Sequence, residues 1–158
     1  MNKTRHDLPV KVRKAMIDLL NASLVDAVDL WNHAKGAHWN VRGPAFIAVH
    51  ELFDKVAAQA EEYADDLAER AVALGGVATA DARTQERTSR LPALPGGTLR
   101  QAKAVQAVAE ALAAFGEGVR KAIDIADRAG DAGTADLFTQ ISRETDKLLW
   151  FVEAHEER

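Results

Sequence analysis

Apolar residues recur along this chain at spacings of three and four in four long stretches, and nowhere does strand-like alternation last. A period near 3.6 marks a helix that buries one face, so the pattern predicts four long helices. The first opens at Pro9, whose ring suits an initial helical turn, and places Leu19, Leu20, Leu24, Ala27, Val28 and Trp31 along one side as far as Asn40. "VRGP" breaks it. The second spans 44–74 and ends at Gly75-Gly76, as a glycine cap would end it. Residues 77–97 form a long connection with a short helix expected over 80–87 and a breaker in "LPALPGG". The third covers 98–129; "GDAG" separates it from the fourth, 134–156.

Two short junctions and one long middle crossover define an all-α four-helix bundle of ferritin-like connectivity, with a short extra helix in the crossover. An up-down bundle with a disordered middle loop is the plain alternative. Residues 9–158 read as one domain behind a tail of residues 1–8, and 158 residues suffice to bury a real core. The charged fraction of 28% and apolar fraction of 47% suit an ordinary soluble protein. A net charge of −4 supplies no global pull toward nucleic acid, so any such contact must be local. No signal-like or membrane-spanning stretch is visible, and a cytoplasmic location is the default expectation. The absence of cysteine removes disulfides and thiolate metal sites, leaving His, Asp and Glu as candidate ligands.

The second helix carries the candidate chemistry. Val49, Phe53, Val56, Ala60, Tyr63, Leu67 and Ala71 form its natural core stripe. His50, Asp54, Glu61, Asp65 and Glu69 fall on another stripe, roughly 145° away. A solvated outer face is the bland reading of that second stripe. Two features weigh against it: Ile47, Ala57, Ala58, Ala68 and Val72 make it too apolar, and it holds two i,i+4 ligand pairs, His50/Asp54 and Asp65/Glu69. About 16 Å of helix separates Asp54 from Asp65, whereas metal ligands sit at roughly 2.0–2.2 Å, so the pairs cannot share an ion within one chain. Two antiparallel copies of this helix, crossing between residues 59 and 60, would bring each pair onto its complement and make two equivalent sites. The crossing point reads "VAAQA", small enough for close approach. His38, at the end of the first helix, would complete a carboxylate-rich set with two imidazoles, which suits iron(II) better than structural zinc.

"KGAHWNVRGPAFIAVHELFD", followed by "YADDLAERAVALGG" and later "TADLFTQISRETDKLLWFVEAH", closely resembles the Dps family, the DNA-binding proteins from starved cells or mini-ferritins. His38, His50, Asp54, Asp65 and Glu69 meet the family's spaced five-ligand pattern in full. The E-x-x-H pair that ordinary ferritins place inside one bundle is absent from the sequence. The resemblance implies a hollow shell of twelve subunits with tetrahedral symmetry and ligands drawn from both members of each two-fold pair. It also implies a ferroxidase that oxidises two Fe(II) per site, preferably with hydrogen peroxide, and stores the ferric product. His38 with Asp65 and Glu69 of the partner subunit would take one ion; His50, Asp54 and a shared Glu69 would take the other.

Around that site, Trp39 is expected to serve packing, with interception of a stray oxidising equivalent as the lesser reading. His33 lies about 140° around the helix from His38 and is not counted as a ligand, and Trp31 has no assigned role. Asp131 and Asp136, near the "GDAG" junction, are the candidates for an acidic iron-entry pore, against an ordinary capping role. DNA binding is an open but weak expectation, which would add the nucleoid as a location. The tail offers Lys3 and Arg5, the first helix Lys11, Arg13 and Lys14, and the C-terminal "EAHEER" is mostly acidic. Three function classes compete: a ferroxidase and iron store, a DNA-compacting shell, and an inert bundle.

Overall fold

A computed structural model describes residues 1–156; the last two residues of "EAHEER" lie outside the described residues. Its helices are α1 (Val10–Asn40), α2 (Phe46–Ala73), α3 (Ala82–Thr88), α4 (Gln101–Ala129) and α5 (Ala132–Glu153). The four long ones form the bundle, α1 packing chiefly on α2 and α4 on α5, and α3 is the short helix of the crossover.

All seven positions of the expected α2 core stripe are buried, together with Met16, Leu20, Leu24 and Leu30 of α1, Phe115 of α4 and Phe138 of α5. A stripe this regular leaves the rest of α2 free to serve something other than the bundle. Ends are set by local chemistry. Gly130, at φ +80°, closes α4 where a side chain would be strained. Asp81 caps α3 by accepting from the amides of Arg83 and Thr84 at 3.1 and 3.3 Å. The crossover is strapped to α1 by Asp26, 1% exposed, which accepts from the Arg90 backbone amide and from Arg90 Nε at 3.0 and 2.7 Å.

One element escapes the periodicity. Val41–Arg42 (β1) pairs in parallel with Leu99–Arg100 (β2), Val41 opposite Leu99 and Arg42 opposite Arg100. The crossover returns alongside the end of α1, and two residues of ladder are too short to show alternation. For that reason α4 starts at Gln101, later than the sequence suggests.

The N-terminal segment is tied down. The Asn2 amide donates to the Gly75 carbonyl at 2.7 Å. Arg13, counted above among basic residues open to a polyanion, is instead buried and donates to the Leu8 and Leu74 carbonyls at 3.1 and 2.9 Å.

Candidate metal centre

His38 ends α1 and His50 opens α2, so the tight 41–45 turn brings them face to face. Their rings stack with centroids 3.6 Å apart and planes inclined by 20°. His38 Nδ1 lies 2.8 Å from the His50 carbonyl, and His50 Nδ1 lies 2.9 Å from the His38 carbonyl. A carbonyl oxygen can only accept, so each Nδ1 carries the proton and each Nε2 lone pair is left for a ligand. Backbone anchoring of the far nitrogen is how proteins orient metal-binding imidazoles. The Phe46 ring, 5.0 Å from the His50 ring, flanks the pair.

Asp54 stands one helical turn beyond His50, its Oδ1 4.0 Å from His38 Nδ1. The Lys35 ammonium donates to the same oxygen at 2.6 Å and, as the leading cause, holds the Asp54 carboxyl below the usual carboxylate range. Lys35 is a residue the sequence reading missed. Its place three residues before His38, on the same helix face, was the available signal. An ion bound at Asp54 must compete with this ammonium.

Asp65 and Glu69 sit one turn apart on the same α2 face, both exposed and, among the described residues, without an ion pair or hydrogen bond. Among the described residues of one chain, no three His, Asp or Glu side chains converge as a metal cluster. The chain therefore pairs His38 with His50 and sets Asp54 beside them without closing a three-ligand cluster, and Asp65 and Glu69 stand apart from them along α2. The face between carries Ala58, Ala64 and Ala68 together with Glu61 and Glu62. Ile47 and Val72, 61% and 52% exposed, lie at equal distances from the midpoint between residues 59 and 60, as do His50 and Glu69, and Asp54 and Asp65. Ala57 departs from expectation: it is buried in the bundle and belongs to the core.

The remaining candidates separate. Trp39 is 65% exposed with Lys35 Nζ 5.7 Å from its ring centroid, so it does not pack in the core of its own chain. His33 is buried beneath the crossover, its Nδ1 3.8 Å from Asp29, away from the stacked pair. Asp131 corrects the pore assignment. It is 2% exposed, caps α5 through the Thr134 amide at 3.0 Å and pairs with Arg70 at 2.7 Å. An inward-turned cap has no oxygen left for a pore. Asp136 is exposed and, among the described residues, unpaired.

A ferritin-like domain, as a family model, matches residues 17–158. The chain is 44% identical over 154 residues to the DNA protection during starvation protein of Agrobacterium fabrum, covering 98% of this chain and 95% of that protein. Among solved structures, Dps from Microbacterium arborescens in its high-iron form is 36% identical, with 91% of this chain and 93% of that one covered and a TM-score of 0.86. Mycobacterium smegmatis Dps is 29% identical, with 100% and 95% covered and a TM-score of 0.93. Fold, spacing and these likenesses agree on the ferritin-like class. Within it, this chain belongs to the Dps family.

Proposed function

We propose that the protein is a ferroxidase and iron store whose metal sites are each assembled from two chains. The observation that carries the proposal is the stacked His38/His50 pair: two imidazoles locked in the metal-binding tautomer, beside Asp54, with too few ligands to hold two ions alone. The missing carboxylates are Asp65 and Glu69 of a second copy, and the antiparallel crossing of α2 between residues 59 and 60 supplies them. In the same crossing Ile47 meets Val72, so exposed apolar side chains at both flanks are covered in one step.

Iron(II) is the substrate. His38 with Asp65 and Glu69 of the partner subunit holds one ion; His50, Asp54 and a shared Glu69 hold the other once Lys35 releases Asp54. Two ferrous ions held together deliver one electron each, so hydrogen peroxide and two protons become two waters with no hydroxyl radical released. The ferric product accumulates in a shell of twelve copies, with Asp136 the remaining acidic candidate at an entry pore. The role in the Agrobacterium relative's name, DNA protection during starvation, comes to this chain through the removal of both reactants.

Subunit mixing tests the shared site. His50→Ala/Asp54→Ala and Asp65→Ala/Glu69→Ala subunits are each inactive alone. Random pairing after co-refolding leaves one intact site in each mixed dimer, restoring about one quarter of wild-type peroxide-driven oxidation. Mixtures as inactive as either parent would overturn the two-chain site.

A further inference from the structure

A second constellation lies in the α1–α2 turn itself, on β1 and its neighbour β2. The ladder turns Val41 and Leu99 into the core, 2% and 1% exposed, and leaves Arg42 and Arg100 side by side on the solvent face. Like charges directly opposite one another in a sheet are unfavourable. Here the burial of Val41 and Leu99 pins the register, so the arginines cannot slip apart. Among the described residues neither has an acidic partner.

The surroundings add to the imbalance. Arg100 is the N-cap of α4, the first turn of that helix contains no acid, and Lys103 adds another exposed cation. Acidic residues are what the positive end of a helix ordinarily recruits. Arg42, Arg100, Thr98, Gln101 and His155 line a hollow of about 530 Å³, and among the described residues no carboxylate lines it. Glu153 and Glu156 line a separate hollow that shares only Ala102 with it. The wall is built rather than loose. A side chain at Gly43 would bring its Cβ to 2.6 Å from Gln101 Cβ, and Gln101 Oε1 accepts from the Ala45 amide at 2.9 Å.

We infer that this hollow is a phosphate-group site, with Arg42 and Arg100 as paired guanidinium forks and Lys103 as a supporting charge. Guanidinium donors match the oxygens of a tetrahedral phosphate in pairs, and neighbouring strands hold the two forks one strand spacing apart. A bound phosphate converts the mutual repulsion of the arginines into attraction. The same chemistry is offered by inorganic phosphate and by the phosphodiester backbone of DNA. The site is independent of the iron reading, since it shares no residue with the metal centre.

The test uses the assembled wild-type protein and an Arg42→Gln/Arg100→Gln variant. Inorganic phosphate is titrated by calorimetry, and a labelled short DNA duplex by fluorescence anisotropy at low salt. Wild-type protein is expected to bind phosphate saturably, and the variant about tenfold or more weakly. Parallel loss of duplex binding, with phosphate competing, assigns the site to the DNA backbone; phosphate binding without duplex binding assigns it to the free anion. Should the double glutamine variant fail to assemble, Arg42→Lys/Arg100→Lys keeps both charges but removes the forks and is expected to bind several-fold more weakly. A wild-type protein that binds neither probe, or an assembled variant that binds both as tightly as wild type, overturns the proposal.

Discussion

The two halves of the candidate metal face are built in opposite ways. At the amino-terminal half, His38 and His50 anchor each other through their carbonyls, Asp54 is held by Lys35, and every orientation is decided inside one chain. At the carboxy-terminal half, Asp65 and Glu69 stand exposed with nothing among the described residues to orient them. Imidazoles need a fixed tautomer and ring plane before they can serve a metal, whereas carboxylates can be drawn into place by the ion itself. The chain spends its internal hydrogen bonds on the half that cannot be improvised.

The largest break in that contrast comes from removing the ordered half. His50→Ala/Asp54→Ala is expected to abolish rapid peroxide-driven iron oxidation while leaving particle size unchanged, as read by stopped-flow absorbance and light scattering. Retained oxidation would separate these residues from the chemistry.

A stability effect of middle size tests a carboxylate that is ordered for structure alone. Asp131→Ala removes a buried cap and the carboxylate paired with Arg70, which keeps only its bond to the Thr134 hydroxyl, and should lower unfolding stability by about 2 kcal/mol in urea titrations at neutral pH. Burial works against the charge of Asp131, yet the hydroxyl and amide of Thr134, with Arg70, hold it below the usual carboxylate range. Its contribution is therefore complete above about pH 4 and is lost as pH falls through the lowered value, so wild type and variant should converge in strong acid. A gap that persists there would place the effect elsewhere.

The smallest effect sharpens the role of Lys35. Lys35→Met frees Asp54 from an exposed ion pair and should tighten binding of the second metal ion by up to about fivefold, measured by calorimetry under anaerobic conditions. Weaker binding would make Lys35 a support for the site instead of a competitor.

Much of this was legible before any coordinates, because a helix converts spacing into direction. The seven core positions of α2, and the place of His50, Asp54, Asp65 and Glu69 off that buried stripe, follow from one rotation per residue. What could not be read depends on partners distant in sequence. Arg13 counts as a surface charge until the Leu8 and Leu74 carbonyls are seen around it. Asp131 could cap or line a pore, and only Arg70, 61 residues away, decides for the cap. Ala57 fits either stripe by type, since alanine carries little directional signal. The β1–β2 pair is too short to imprint a period, so the arginine pair it creates was invisible as well.

Helix α3 buries no residue of its own. Gln85 and Ser89 fasten it to Asp29, and Asn32 reaches Gln85, so its attachment is polar from end to end. Water can replace such links one at a time, without the collective resistance of an apolar seam. Amide hydrogens in this crossover should exchange with deuterium before those of the long helices, and a protease should cut here first while the bundle beneath stays whole.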